Sequence, residues 1–532
     1  MNLSKLTLAV TAALSVGASY NAYAIDLYVD TKTKQIYAES GPGRQLMGSF
    51  EKVGEAPAKS ADTADIAAIR EDLDLKSNEI AALKEHAKEA EKVKVKLDDG
   101  IRFETKDGNF SAAINGRMQV DSQVNVNNGV APGLFQASSG SPETTGKLAD
   151  GVGIRRARLG VEGTFFKDYD YKFEYDFTRG NGTIGAGVTD AFLRWNFDKA
   201  FSFKVGSFKE PFSLEEATSN RFLTFIERNM IVNTFIDNPN TYKVGIGANY
   251  SQERYQIATS FQTEPVGANP SGSTSSASSV NTNGGSNRNN GSGDTGWEAN
   301  GRVSGMPWME SKTKFLHVGA SGSYVNVNNN FGRNITNPNN PTNTLASGGF
   351  SFASFLNNNV DRSNVLNTGN LTKADGSQII DHFTRFGAEA ALVYGPWSAQ
   401  GEYIQTNISG HGYNGNTLDG YYGYVSYFLT GESRAYKNKT GAWDRLKPSR
   451  NFDMNGGWGA WELAAGYDYI DLNADVIKGG RASTAKFGLN WYPNSHFRVM
   501  SNFVHVLDLN TGVRGFNKAD LDMFEMRAQV DF

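Results

Sequence analysis

The chain has 532 residues, a formal net charge of -4 at pH 7, 58 glycines, 14 prolines, 12% aromatic residues and no cysteine. The missing cysteine excludes a disulfide framework, thiol catalysis and a lipid-anchored cysteine. The mildly acidic balance gives no basis for a nucleic-acid partner, and no apolar run reaches the length of a membrane-spanning helix.

Residues 1–24 read as a secretory signal peptide. Lys5 supplies the positive charge, Leu6 to Val16 the apolar stretch, and Ala22-Tyr23-Ala24 a small-x-small cleavage site. Residues 25–58 follow as a short exported segment. IDLYVDTKTKQIYAESGPGR predicts a hairpin, with its turn near Lys32-Thr33-Lys34 and its stop at Gly41-Pro42-Gly43.

Residues 59–99 are the helical part, with a helix expected over 62–97. Ile66, Ile69, Leu73, Lys76, Ile80, Leu83, Ala87, Ala90, Lys94 and Leu97 fall on alternating steps of three and four. That spacing is the a/d seam of a short oligomerising coiled coil. The competing reading is a lone amphipathic helix lying on a domain. The seam weakens after Leu83, where alanine and lysine replace large apolar side chains.

From residue 100 to 532 the period is two. In the first long strand Phe110, Ala112, Ile114, Met118 and Val120 share one face, and Asn115, Arg117, Gln119 and Asp121 the other. In the last, Phe524, Met526, Ala528, Val530 and Phe532 oppose Glu525, Arg527, Gln529 and Asp531. Alternation alone suits a soluble sandwich equally. Three features favour a membrane barrel. The polar face is charged in strand after strand, aromatics cluster at strand ends, and short turns alternate with long Asn/Ser/Gly-rich loops. The fold class is therefore all-β, a sixteen-stranded antiparallel transmembrane β-barrel preceded by the helical coiled coil. Its strands centre near residues 116, 160, 174, 193, 205, 246, 258, 301, 319, 388, 402, 423, 465, 488, 501 and 527.

Two connections stand out. Residues 207–240 follow the fifth strand; Pro211 ends that strand, and Phe212, Phe222 and Phe225 predict a loop packed on the inner wall. Residues 430–458 are too long for a turn at the short end. A plug, a segment packed below the barrel and a miscounted strand all remain open for them.

The sequence gives no case for catalysis, a metal or a cofactor. Its six histidines are scattered, and no nucleophile elbow appears. Inward basic and acidic residues nearly cancel, so counting alone does not make an anion channel. The local basic clusters are Arg155-Arg156-Ala157-Arg158 and, in the third loop, Lys209, Arg221 and Arg228. Arg194, Arg385 and Arg527 are expected to pair with neighbouring carboxylates, and Glu227-Arg228 to pin the loop.

FKEPFSLEEATSNRFLTFIER (208–228), GIRRARLGVEGTFFKDYDYKFEYDF (153–177), TDAFLRW (189–195), YFLTGESRAY (427–436), GAWELAAGYDYIDL (459–472) and FGLNWYPN (487–494) resemble the phosphate-selective porin O and P family, over roughly residues 110–532. The resemblance implies a homotrimer in the lipid of a Gram-negative outer membrane; the even strand count separately places both ends of the barrel, and with them the coiled coil, in the periplasm. The resemblance also implies passage of phosphate or polyphosphate through a constriction formed with the inward-folded third loop. By motif, the constriction residues are Arg117, Arg155, Arg156, Asp190, Lys209 and Arg221. Arginine suits phosphate because its planar fork binds two oxygens at once. Arg155 and Lys209 have the wrong parity for the lumen and reach it only if the strand bends. The rivals are a channel for organic anions such as dicarboxylates, and a structural anchor tethered to the cell wall through the coiled coil.

Overall fold

The computed structural model describes residues 25–50, 63–90, 93–96, 100–129, 148–178, 187–237, 241–263, 266, 296–327, 350–358, 360–361, 364–373, 377–511 and 520–532. The expected signal peptide, and most of the long loops at 264–296 and 327–380, lie outside the described residues. The chain divides into two compact units, Met1–Glu89 and Ala90–Phe532.

In the first unit, β1 (Ile25–Asp30) pairs antiparallel with both β2 (Ile36–Tyr37) and β3 (Arg44–Phe50). The β1–β2 turn is set by Asp30, whose Oδ1 accepts the N–H groups of Lys32 (2.8 Å) and Thr33 (2.9 Å). A short acceptor side chain that caps its own turn is the reason aspartate recurs there. The expected hairpin is present, and a third strand follows Gly43. A single helix, α1, runs from Thr63 to Ala90. The expectation of helix through residue 97 is corrected: Val93-Lys94-Val95-Lys96 alternates, is half β-branched, and forms a strand.

In the second unit that strand, β4 (Val93–Lys96), forms a hairpin with β5 (Ile101–Thr105), and β5 pairs with the beginning of β6 (Phe110–Gly129). The wall continues through β7 (Gly151–Phe165), β8 (Tyr169–Asp176), β9 (Val188–Asn196), β10 (Phe201–Lys209), β11 (Tyr242–Ser251), β12 (Tyr255–Gln262), β13 (Trp297–Ser311) and β14 (Lys314–Asn326). A small hairpin of β15 (Ala353–Ser354) and β16 (Leu366–Asn367) lies in the next loop. The wall resumes with β17 (Ile379–Tyr394), β18 (Trp397–His411) and β19 (Tyr413–Phe428). After the inserted pair β20 (Tyr436–Lys437) and β21 (Ala442–Trp443), it finishes with β22 (Ala460–Asn473), β23 (Lys478–Tyr492), β24 (Phe497–Asn510) and β25 (Asp520–Asp531).

The sheet closes because β25 pairs with β6, from Asp531 opposite Arg117 to Asp520 opposite Gly129. The closed wall therefore has sixteen antiparallel strands, and each contains one of the centres read from the period-two pattern. Closure leaves no unpaired edge, which a spanning sheet requires in lipid. The outward face is apolar and exposed, as at Phe173, Leu193, Phe386, Val425 and Phe487, while inward Arg158, Glu174, Asp468, Lys486 and Arg527 are buried. That inversion of the usual pattern is what a lipid-embedded barrel with a polar lumen requires.

Connections 166–168, 197–200, 252–254, 312–313, 395–396 and 493–496 are short and share one end of the barrel. The lumen is not polar throughout. Towards the long-loop end, inward Ile404, Leu418, Ile470, Leu472, Val504 and Met523 form one apolar cluster with residues of two loops. Phe212, Phe225, Met230, Ile231 and Phe235 come from the third loop; Phe352, Leu356, Val365 and Leu366 come from the loop after β14.

The alternatives for residues 430–458 also resolve. No strand is miscounted. The segment turns into the lumen at the short-turn end, where Arg302 donates to the Gly441 carbonyl at 2.7 Å and the Trp443 indole donates to Gln400 at 2.5 Å.

Candidate anion constriction

The third loop begins where β10 ends. Pro211 has no N–H for a ladder, and Glu210 has already turned inward to a two-point pair with Arg385 (3.0 and 2.5 Å). Phe212 follows, fully buried, with the Arg385 guanidinium 5.1 Å from its ring centre. Ser213 then caps a single helical turn, α2 (Leu214–Ala217), by accepting the N–H of Glu216. The free N–H groups of Leu214 and Glu215 donate to Glu402 on the far wall, at 3.1 and 2.8 Å. A carboxylate is the natural partner for donors at a helix start.

Further along, the loop is fastened to four more strands. Arg498 donates to the Leu223 carbonyl (2.7 Å), Asn490 to that of Thr224 (2.9 Å), and Arg527 to that of Ile226 (2.5 Å). The Met230 N–H, opening the short α3 (Met230–Val232), donates to Asp468 at 2.7 Å. Arg228 closes the loop on itself, reaching the Thr218 carbonyl (3.0 Å) and Glu216 (3.1 Å). The loop is thus a crossbar tied to the wall by backbone groups that would otherwise be buried unpaired.

The six residues named from sequence are not all brought together along this crossbar. Arg117, Arg155, Arg156 and Arg221 lie on the β6–β7–β25 side. Arg117 on β6 pairs with Glu174 and donates to Asn220 of the loop. Arg155 holds Glu227 of the loop with two hydrogen bonds, 2.7 and 3.2 Å. Its parity problem is solved by a β-bulge: Gln119 faces Arg156 and Val120 faces Ile154, so Arg155 is the extra residue. A bulge re-aims side chains, and here two consecutive arginines enter the lumen. Arg156 donates to Gln119 at 2.9 Å, lies 4.0 Å from Glu227, and keeps a buried Nε with no hydrogen-bond partner. Arg221 lies 3.7 Å from Asp531, and its own carbonyl accepts from Gln529.

Asp190 and Lys209 lie apart from these four, each with its own partner. Asp190 pairs with Lys172 at 2.9 Å. Lys209 is the last paired residue of β10 and is carried inward with the turn, where its amine meets Glu216 at 2.7 Å. Arg194, Arg385 and Arg527 pair with Asp170, Glu210 and Asp121, and Glu227 is held by Arg155 and Arg527.

Sequence reasoning missed the residues that close the site from below. Trp443 packs with Leu214, Phe315 and Val393, and its backbone N–H donates to Thr218 of the third loop. Arg434 stacks on Trp443 with 3.9 Å to the ring centre, and Arg445 pairs with Asp531 at 2.8 Å. Only the excess length of the 430–458 connection signalled them. The Lys204 amine rests 3.9 Å from the Phe208 ring centre and makes no ion pair among the described residues. Among the described residues, no group of His, Asp and Glu could hold a metal ion.

A closed antiparallel barrel, apolar outside and charged inside, with a loop fastened across its lumen, is the architecture of an outer-membrane porin. The chain belongs to the phosphate-selective porin O and P family, whose model matches residues 124–532. It is 26% identical over 422 residues to "Porin O" of Pseudomonas aeruginosa, covering 77% of this chain and 86% of that one. Among solved structures it resembles a loop-deletion mutant of OmpT from Vibrio cholerae (10% identity, TM-score 0.44, 80% of this chain and 100% of that one). It also resembles the anion-selective porin from Comamonas acidovorans (11% identity, TM-score 0.43, 80% of this chain and 100% of that one). The family and the barrel point to a channel rather than a catalyst.

Proposed function

We propose that the protein passes small anions across the outer membrane by facilitated diffusion, phosphate or polyphosphate first, as a homotrimer. One observation carries the anion reading. A cavity of about 770 Å³ on the short-turn side of the third loop is lined by Arg194, Lys199, Lys204, Lys209, Arg302, Lys437 and Lys439 against Asp168, Asp170, Asp198 and Glu210. A second cavity, of about 400 Å³, is lined by Arg102, Lys172, Arg221, Lys437 and Arg445 against Glu162 and Asp444. Wall charges that nearly cancel over the whole barrel are therefore biased to positive where the lumen stays open. Charge rings at a constriction set the selectivity of a pore.

Phosphate is favoured because the guanidinium of Arg156 keeps a buried Nε with no hydrogen-bond partner, and because the chain belongs to this family. Asp190, held by Lys172, moderates the positive field so that the anion can leave. One observation favours the organic-anion rival: Arg155 already grips a carboxylate, Glu227, at two points. Block of chloride current separates the two. Phosphate should block at lower concentration than succinate; the reverse order would favour the dicarboxylate reading.

A further inference from the structure

The helix α1 leaves a stripe of large apolar side chains uncovered. Ile69, Leu73, Ile80 and Leu83 are 52–64% exposed, although they share one heptad seam. Stripes of this kind on a helix are covered by a partner helix. The flanking charges say which partner. With Leu73 and Ile80 at a, the g column reads Asp65, Asp72, Glu79 and the e column Arg70, Ser77, Lys84.

We infer that α1 pairs in parallel and in register with α1 of further copies of this chain, the g column of each helix facing the e column of the next. In that arrangement Glu79 meets Lys84 of the neighbouring copy, opposite charges in contact. An antiparallel arrangement sets g against g and e against e, like charge against like, so the pattern selects orientation as well as association. Lys76, at a d position, is compatible with the seam. Its amine turns back to Asp72, 3.9 Å away on the same helix, and leaves its methylene stem to line the interface. A polar residue at one core position also fixes register. The inference does not depend on which solute the barrel conducts.

The chain has no cysteine, so single cysteines in the full-length protein report geometry directly. Ile69→Cys and Leu83→Cys are each expected to form disulfide-linked dimers with themselves, several-fold faster than Asn78→Cys on the outer f position. Glu79→Lys in the Leu83→Cys background should slow linkage by roughly two- to fivefold. Adding Lys84→Glu should restore it, because residues five apart on one helix do not face each other and only a neighbouring copy can re-pair them. Three results would each overturn the inference. Ile69→Cys chains could link to Ile80→Cys chains in a mixture but not to themselves, as an antiparallel pair, which sets d against a, would. Asn78→Cys could link as fast as the seam positions. The charge swap could fail to restore the rate.

Discussion

At the scale of residues, Arg156 and Arg155 show how similar neighbours divide their work. Arg155 spends its fork on Glu227, while Arg156 keeps one hydrogen bond to Gln119 and an unpartnered Nε. Replacing Arg156 with Ala removes one charge-assisted contact, worth roughly 1.5–3 kcal/mol before compensation. The half-blocking phosphate concentration should rise roughly 10- to 100-fold, taking tenfold per 1.4 kcal/mol. Lysine at that position should recover part of the loss, since it keeps the charge and loses the fork. Unchanged block by phosphate in Arg156→Ala would remove Arg156 from the site. Glu227→Ala is expected to act differently, because Arg155 and Arg527 would be left buried without their shared carboxylate. Breaking a buried pair on one side costs about 3–5 kcal/mol. The folded barrel should then lose its heat resistance on gels at a lower temperature; an unshifted transition would mean that Glu227 does not pin the loop. Period-two parity already aimed Arg117, Arg156 and Arg158 inward. It mis-aimed Arg155, because a bulge is one inserted residue and leaves no mark on alternation except a phase slip.

At the scale of elements, the third loop and the 430–458 insertion meet inside the barrel, where the Trp443 N–H donates to Thr218. The loop was readable from its aromatics and from Pro211. Its anchors were not, since Glu402, Asp468 and Asn490 are ordinary lumen residues until a backbone N–H or C=O arrives opposite them. Removing residues 433–447 should leave the wall intact, because wall strands bond to each other and not through the insertion. Single-channel conductance should rise, as Trp443 and Arg434 leave the short-turn mouth; equal conductance would show that the insertion does not narrow the path. The N-terminal helix gives a separate test. Val93–Lys96 belongs to a hairpin on β5, so the deletion that isolates α1 is residues 59–90. That protein should still insert, because the barrel satisfies its own backbone, and the proposed trimer should dissociate at a lower temperature. Unchanged mobility of the heated trimer would mean that α1 adds nothing to the assembly.

At the scale of the whole molecule, the barrel was the most legible feature. Sixteen half-buried strands repeat a pattern that one missed strand would have broken, and the apolar face recurs from Phe110 to Phe532. The apolar plug at the long-loop end was not legible. Ile470, Leu472, Val504 and Met523 are inward yet apolar, which period-two bookkeeping accepts for either face. Net charge was equally silent, because selectivity depends on where the lumen stays open and not on its total. The central claim is that those open parts are positive enough to choose anions. The most direct test is the reversal potential of the reconstituted full-length porin across a tenfold gradient of potassium chloride. Anion selectivity predicts a potential close to the chloride equilibrium value, and a shift towards zero when salt is raised on both sides, as screening shortens the reach of the lysines and arginines. A potential of the opposite sign, near that of potassium, would contradict the account.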